Sequence, residues 1–148
     1  MTDEISSAFP GVRVGERIEG QVALSPEEIA TFARLCGDQN PLHHDETYAR
    51  QTRFGGLIAC GPHMTSLMMG LIATYFSRET AMLGLEFTFH FRKAVLANEL
   101  IAMRWEVTEV VPKASLGGEI VMLEGQASNQ QGQVVLAGVG KVLVTTKL

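Results

Sequence analysis

Two side chains able to exchange protons with a substrate, Asp38 and His43, lie five positions apart in the sequence. Asn40 and Pro41 between them predict a turn, because proline cannot continue a helix and disfavours helix in the residue before it. A loop therefore sets their spacing, and a loop can direct both side chains at one water molecule. A carboxylate and an imidazole can together take a proton from water and return one to carbon. The pair thus fits the addition of water across a conjugated double bond.

An ordinary structural interpretation of the same pair has to be weighed against this chemistry. An aspartate in a polar loop commonly caps a nearby turn, and a single histidine is commonly a surface imidazole. Taken alone, the two residues fit that interpretation better than catalysis. The elements on either side of the loop therefore decide between a catalytic and a structural role for Asp38 and His43.

Two helical pieces bracket the loop. The run Ser25–Glu28 supplies a capping serine, a proline at the first helical position and a glutamate at the third, which is a typical helix start. The apolar face of this helix comprises Ile29, Phe32, Ala33 and Cys36. Gly37 is predicted to end the helix, since glycine tolerates the backbone conformation found there. Asp45 can cap a further turn, after which Gly55–Gly56 breaks the chain.

The segment from Gly61 to Ser77 contains no Asp, Glu, Lys or Arg and is apolar nearly all the way round. Such a helix is predicted to be buried on most sides. It is shorter than the roughly 18 residues that a membrane span needs, so the rest of the chain is expected to wrap it. Met64, Met68 and Met69 recur at helical spacing, for which core packing is the ordinary explanation.

Alternating apolar and polar residues predict the strands that would surround this helix. The clearest pattern places one face of a strand against a core, formed by Leu85, Phe87, Phe89 and Phe91. Further strands are predicted over residues 16–24, 101–108, 119–127 and 134–146, with turns at 112–118 and 129–132. Short connections between strands favour antiparallel pairing, so the pattern indicates an α+β domain. An antiparallel sheet wrapped around a central hydrophobic helix is the architecture called the hot-dog fold.

Length and composition bound the possible functions. A chain of 148 residues forms one domain, here residues 1–148 with a loosely ordered lead-in over residues 1–15. The net charge of -4 and the scattered basic residues disfavour nucleic acid as a partner. Because no apolar leader or membrane span is present, the protein is expected in the cytoplasm, with Cys36 and Cys60 as reduced thiols. A content of 46% hydrophobic and 19% charged residues favours a homo-oligomer, since it provides more apolar surface than one chain requires.

The loop and the start of the central helix resemble the MaoC-like (R)-specific enoyl-CoA hydratases. That family carries Ser-Gly-Asp-x-Asn-Pro-x-His-x-Asp, then a Phe, then a hydrophobic-hydrophobic-His-Gly step. Here Cys36–Asp45 reads Cys-Gly-Asp-Gln-Asn-Pro-Leu-His-His-Asp, Phe54 follows, and Ile58–Gly61 reads Ile-Ala-Cys-Gly. The spacing matches throughout, and the strand order extends the resemblance over about residues 20–146.

The resemblance implies a reaction and the residues that perform it. The reaction is the reversible addition of water to a trans-2-enoyl thioester, which gives the (R)-3-hydroxyacyl product. Asp38 and His43 would hold the attacking water and deprotonate it. Asn40 would order the loop, with Pro41 and Asp45 as further motif positions.

The resemblance also implies a ligand. The backbone amide of Gly61 would bind the thioester oxygen, because free amides at a helix start favour developing negative charge. A coenzyme A thioester is then the substrate, and no separate cofactor is expected. Its pantetheine arm would enter where two subunits of a homodimer meet, with its phosphates near basic side chains. The candidates for that contact are Arg50, Arg53, Arg92 and Lys93.

Two positions depart from the family pattern, and two other functions stay open. Cys36 stands in place of the usual Ser, and Cys60-Gly61-Pro62 in place of the usual His-Gly-Met, which bears on the acyl group more than on the reaction type. A hot-dog thioesterase would need a carboxylate on or beside the central helix. A non-catalytic subunit that binds acyl thioesters would be expected to lack the Asp or the His.

The remaining histidines are given structural interpretations. A metal site is not predicted, because His44 beside His43 belongs to no Cys-x-x-Cys or His-Glu-x-x-His pattern. His63 and His90 are interpreted as satisfied structural groups or surface groups.

Overall fold

The structure, a computed structural model, describes residues 11–146. Its elements in chain order are β1 (Arg17–Ala23), α1 (Pro26–Leu35), α2 (Glu46–Arg50), α3 (Gly61–Phe76), β2 (Ala81–Phe91), β3 (Leu100–Lys113), β4 (Gly118–Ser128) and β5 (Val134–Thr145). The strands form one antiparallel sheet in the order β1-β3-β4-β5-β2. This is the predicted α+β arrangement of a sheet and a central helix. The predicted lead-in is irregular over residues 11–15, and its first ten residues lie outside the described range.

Helix α1 begins where the sequence predicted. Ser25 accepts a hydrogen bond from the backbone N–H of Glu28, whose side chain accepts from the backbone N–H of Ser25, so the capping box is complete. The helix ends at Leu35, and Gly37 adopts a left-handed φ of 75°. Of the predicted apolar face, Ile29 and Ala33 are buried.

Helix α3 lies on the sheet along one of its faces. Its buried residues recur at helical spacing and are His63, Met64, Met68, Ile72 and Phe76. The indole Nε1 of Trp105, on β3, donates a hydrogen bond of 2.8 Å to the Met68 carbonyl and so fixes the helix against the sheet. A helix carbonyl normally bonds within its helix, so this contact uses the second lone pair of the oxygen.

The opposite face of α3 is exposed, and the prediction that the chain would bury the helix on most sides is wrong for a single chain. Ser66, Gly70 and Thr74 are exposed on that face, and Met69 retains 37% of its accessible surface. The physical reason is that one sheet offers one face, which covers one side of a helix. Met64 and Met68 therefore pack in the core as predicted, whereas Met69 does not.

Glycines let aromatic rings approach the sheet backbone closely beneath α3. A Cβ at Gly125 would lie 2.5 Å from the Trp105 ring, and one at Gly138 would lie 2.6 Å from the Phe89 ring. Both distances are shorter than van der Waals contact, so larger residues at these two positions would displace the rings. The core under the helix depends on this close approach.

Strand β2 is an edge strand, and its apolar stripe is only partly buried. Phe87 and Phe89 pack against the core, as predicted, but Leu85 is 51% exposed and Phe91 is 60% exposed. The pairing of β2 with β5 also shifts in register between Gly84 and Glu86. Leu85 lies at that shift and Phe91 is the last residue of the strand, so half of the predicted stripe stays exposed.

One predicted turn starts later than expected. Strand β3 continues through Pro112 to Lys113, and the reversal is a single 3₁₀ turn over Ala114–Leu116 followed by Gly117 in the left-handed region. Proline lacks a donor, but next to the last residue of a strand this removes at most one ladder bond. The hairpin predicted at residues 129–132 joins β4 to β5 as expected.

Candidate active site

The loop that follows α1 is held by its own polar groups. The backbone N–H of Asp38 donates 2.8 Å to the Ala33 carbonyl, which fixes the loop to the end of α1. Asp38 Oδ1 accepts from the backbone N–H of Asn40 at 3.0 Å, and Asn40 Oδ1 accepts from that of Leu42 at 3.1 Å. Pro41 begins the single 3₁₀ turn that ends at His43. The bond from Asn40 occupies Asp38 Oδ1, and Oδ2 makes no hydrogen bond to the loop backbone.

His43 is buried and both of its ring nitrogens face specific oxygens. Nδ1 lies 2.7 Å from the Ile58 carbonyl, and Nε2 lies 3.2 Å from Asp38 Oδ2. Because a carbonyl oxygen can only accept, Nδ1 carries a proton and donates it to Ile58. In the neutral ring Nε2 is then the basic nitrogen, and it lies beside a carboxylate whose side chain is 31% exposed. The structure thus brings the two predicted residues together.

His44 and Asp45 have structural positions next to this pair. The His44 ring is turned by 72° from the His43 ring, and its Nε2 donates to the Asp38 carbonyl over 2.7 Å. Asp45 Oδ1 accepts from the backbone N–H of Tyr48 at 3.0 Å, so it caps α2 as predicted. Among residues 11–146, no group of three or more potential ligands is placed to hold a metal ion.

Gly61 is the first residue of α3 and presents a free amide. The preceding Cys60 makes no side-chain cap, and Pro62 has no N–H. No residue of the described chain accepts a hydrogen bond from the Gly61 N–H. A Cβ at this position would lie 3.2 Å from the Phe91 ring, so a larger residue would press against that ring. A free amide at the positive end of a helix is suited to an oxygen that becomes negatively charged.

A cavity of about 250 Å³ adjoins this amide and has a basic rim. Gly61, Met64 and Phe91 contribute to its wall. The basic side chains that line it are Arg53, Arg92 and Lys93. The fourth predicted basic candidate, Arg50, is paired instead with Glu46 at 2.9 Å on the surface of α2 and does not line this cavity.

His63, in the first turn of α3, differs from its prediction. Only 6% of its surface is exposed, and its Nδ1 is buried without a hydrogen-bond partner among the described residues. The ring stacks on Phe32 of α1, with centroids 4.2 Å apart and planes 3° from parallel. Burial lowers the pKa of His63 below its ordinary value of 6.5, and the Glu28 carboxylate opposes this in part. A buried, unsatisfied imidazole was not anticipated, whereas His90 is exposed as predicted.

The two cysteines meet beside the loop. Cys36 Sγ donates to the Ala33 carbonyl at 3.5 Å and interacts with the Cys60 thiol, although Cys36 was predicted to join a buried face and is exposed. Burial raises the pKa of the Cys60 thiol, the His63 backbone amide lowers it, and Cys36 and the Asp38 carboxylate raise it further. The two departures from the family pattern are therefore in contact with each other, which sequence spacing alone did not reveal.

The sequence did not indicate the roles of two residues at the site, Ile58 and Phe91. Ile58 contributes through its backbone carbonyl, which no residue type can indicate. Ile58 also donates its backbone N–H to the Leu42 carbonyl at 3.1 Å, which holds the approach to α3 against the loop. Phe91 was placed on a strand, but nothing in the sequence indicated that its ring would cover Gly61.

No helix within residues 11–146 is long and apolar enough to cross a membrane.

Comparison with known proteins gives one consistent result. A 3-hydroxybutyryl-CoA dehydratase of Methylorubrum extorquens is 30% identical over 113 residues, which are 70% of this chain and 71% of that protein. An (R)-specific enoyl-CoA hydratase of Aeromonas caviae is 30% identical over 129 residues, or 84% of this chain and 94% of that protein. The solved R-hydratase of Pseudomonas aeruginosa, unliganded, superposes with a TM-score of 0.80 at 26% identity, covering 92% of this chain and 84% of that one.

The fold of these neighbours is the hot-dog fold predicted from the sequence. The solved (R)-hydratase of Aeromonas caviae superposes equally well, with a TM-score of 0.80 at 25% identity, and covers 90% of this chain and 98% of that one. The family model described as MaoC like domain matches residues 10–129, which include the loop, α3 and most of the sheet. The chain therefore belongs to the MaoC-like hydratase and dehydratase family.

Proposed function

We propose that this protein catalyses the reversible hydration of a trans-2-enoyl thioester to the (R)-3-hydroxyacyl thioester. The observation that carries the proposal is the 3.2 Å approach of His43 Nε2 to Asp38 Oδ2 while Nδ1 donates to Ile58. Relatives named as a 3-hydroxybutyryl-CoA dehydratase and an (R)-specific enoyl-CoA hydratase support it, since these names describe one reaction in two directions.

The pair is suited to bind one water beside its two acceptors, which lie 3.2 Å apart. Neutral His43 Nε2 and ionised Asp38 Oδ2 both accept, so a water that donates one hydrogen to each satisfies both. Both lone pairs of this water stay unused, so one of them can attack the β-carbon of the enoyl group. His43 takes the proton, and the adjacent carboxylate stabilises the imidazolium that forms. The same proton is returned to the α-carbon, which completes the addition.

The Gly61 amide is suited to the charge that develops during this addition. Attack at the β-carbon moves electron density onto the thioester oxygen, giving an enolate. Gly61 N–H has no partner among residues 11–146, and it lies at the start of α3, where the helix dipole favours an anion. His43 Nδ1 donates to the carbonyl of Ile58, three residues before Gly61, and this bond ties the acid/base loop to the segment that leads into α3.

The carrier of the acyl group is proposed to be coenzyme A. Arg53, Arg92 and Lys93 surround the cavity beside Gly61, and such side chains bind phosphates. The double substitution Arg92→Glu with Lys93→Glu should raise KM for crotonyl-CoA but leave KM for crotonyl-pantetheine, which lacks the nucleotide, unchanged. Lys113→Glu, outside the cavity, is the control. An equal effect on both substrates would exclude phosphate binding by this pair.

A homodimer is proposed through the edge of β2. The other sheet edge, β1, exposes Arg17, Glu19 and Gln21, whereas β2 exposes Leu83 at 64% and Leu85 at 51%. An apolar, unpaired edge favours pairing with another strand, and charge on an edge discourages it. Sedimentation should therefore show a dimer that dissociates on Leu85→Glu.

The matched control for the dimer is Val111→Glu, because Val111 is 42% exposed on β3 and away from that edge. It should leave the sedimentation coefficient unchanged. A wild-type protein that sediments as a monomer at micromolar concentration would rule the dimer out.

The direct test of the reaction follows the absorbance of the enoyl thioester. Wild-type protein should hydrate crotonyl-CoA or longer and branched enoyl-CoAs, and Asp38→Asn should not, although its Oδ1 can still accept from Asn40. Release of free thiol with the double bond intact would instead indicate a thioesterase. That outcome is disfavoured because α3 carries no carboxylate. Tight acyl-CoA binding without turnover would indicate a non-catalytic subunit.

A further inference from the structure

The chain has two cysteines, and the fold brings both to one point beside the loop. Cys36 follows the last residue of α1, and Cys60 precedes the first residue of α3. One helical turn further from the loop, Phe32 of α1 stacks on His63 of α3. Each cysteine lies one helical turn from this stack, Cys36 after Phe32 and Cys60 before His63, so the two thiols are neighbours at the same end of the helix contact.

We propose that Cys36 and Cys60 are a redox modification site at which hydrogen peroxide forms a reversible disulfide that switches the adjacent loop off. Cys36 is exposed and can meet the oxidant, whereas Cys60 is only 1% exposed and is shielded from it. Disulfides require closely approached thiols, and the packing of α1 on α3 at Phe32 and His63 brings these two helix ends together. No third ligand completes a metal centre around the thiols among the described residues.

The oxidation proceeds in two balanced steps. The Cys36 thiolate attacks one peroxide oxygen, the O–O bond breaks, and the departing hydroxide takes a proton to leave as water. Cys36 is then a sulfenic acid. Cys60 attacks that sulfur, the S–S bond forms, the S–O bond breaks, and the oxygen leaves as a second water with the Cys60 proton. Overall, two thiols are oxidised and one peroxide is reduced to two waters.

The disulfide would act on both halves of the site. Cys36 lies two residues before Asp38, and Cys60 lies immediately before Gly61. An S–S bond of about 2.05 Å is much shorter than the contact of two unbonded sulfur atoms, so its formation draws the two backbones together. A displacement of about 1 Å in a catalytic group can lower turnover by a factor of about 100. The effect on turnover rests on the proposed function, whereas formation of the disulfide does not.

The experiment treats the reduced full-length protein with hydrogen peroxide and follows thiols, mass and activity together. We expect free thiols to fall from two to none per chain, with the intact mass lowered by two hydrogens and one linked Cys36–Cys60 peptide. Crotonyl-CoA turnover should fall at least about tenfold and return with dithiothreitol. Cys36→Ser should keep its turnover before and after peroxide, which also controls for methionine oxidation.

Three outcomes would overturn the proposal. The first is that both thiols survive peroxide, or are oxidised beyond sulfenic acid without linking. The second is a disulfide between Cys36 of two chains, visible as a dimer on a non-reducing gel. The third is a linked Cys36–Cys60 peptide with unchanged turnover. If no wild-type turnover exists before oxidation, the proposed function fails while the thiol and mass readouts still decide the disulfide.

Discussion

The loop of Gly37–His43 and the first turn of α3 each contain a buried histidine, and the two differ in what surrounds them. His43 has an oxygen opposite each ring nitrogen, at 2.7 Å and 3.2 Å. His63 is equally buried, but its Nδ1 has no partner in the described chain and its ring stacks on Phe32. A buried histidine is therefore not a general base merely because it is buried. A base needs a fixed tautomer and a neighbouring group that stabilises its proton.

The largest expected effect is on kcat, which should fall when His43 is substituted but not when His63 is substituted. His43→Asn keeps a side-chain N–H that can donate to Ile58 but removes the basic Nε2. It should lower kcat for crotonyl-CoA by a factor of about 100 to 10,000, the usual contribution of general acid–base catalysis. His63→Phe keeps the stacked ring and should change kcat by less than about threefold, since no proton passes through His63.

Circular dichroism and thermal melting would show that both variants are folded. The exposed His90→Asn on β2 is the control for substituting any histidine. If His63→Phe lowered kcat as strongly as His43→Asn, the distinction drawn between the two residues would be wrong.

A smaller effect is expected at the amide that starts α3. Gly61→Ala places a methyl group 3.2 Å from the Phe91 ring and beside the free N–H, where the thioester oxygen would approach. We expect kcat/KM to fall about tenfold, because a small displacement at a reacting centre is costly. Gly70→Ala, on the exposed side of the same helix with no atom within 4 Å of its new Cβ, should leave kcat/KM unchanged.

The comparison of Gly61→Ala with Gly70→Ala also separates an effect on catalysis from an effect on stability. Gly70→Ala should raise the free energy of unfolding by about 0.4–1 kcal/mol, because alanine restricts the unfolded chain. Urea titration would measure this. A tenfold loss of kcat/KM in Gly70→Ala, or none in Gly61→Ala, would remove the special role of the helix start.

The smallest effect concerns stability and pH. An orphaned polar group costs roughly 1–3 kcal/mol when buried, so His63→Phe should raise the free energy of unfolding at pH 7 by about 1 kcal/mol. The folded-state pKa of His63 is lowered, so the unfolded chain takes up the proton first as pH falls below 6.5. Wild-type stability should therefore decline from there until pH passes the lower folded pKa.

Urea titrations of both proteins between pH 8 and pH 4.5 would measure the difference. The stability gap between His63→Phe and wild type should widen below pH 6.5 and then level off. A constant gap across this range would mean that His63 keeps its ordinary pKa on folding.

The features that could be predicted from the sequence are those formed by residues close together in the chain. The capping box of Ser25 and Glu28, the turn at Asn40 and the cap at Asp45 all use groups within three positions of each other, so their geometry follows from local rules. The pair Asp38 and His43 was found through its motif, and the structure places the two side chains together.

Features that depend on how distant segments pack were not predicted. The tautomer of His43 is set by the carbonyl of Ile58, fifteen residues away. The contact of Cys36 with Cys60 arises from the packing of α1 on α3, and the exposed side of α3 arises because one sheet covers one helix face. Periodicity shows that a face is apolar, but it does not show which surface covers it.

The central claim is that Asp38 and His43 act on one water, and a double-mutant cycle tests it most directly. Turnover of crotonyl-CoA would be measured for Asp38→Asn, His43→Asn and the double variant, with folding checked for each. Groups that act as a unit are strongly non-additive, so the double variant should be no more than about tenfold slower than the slower single variant. If the two losses multiply in the double variant, the residues act independently and the shared water is contradicted.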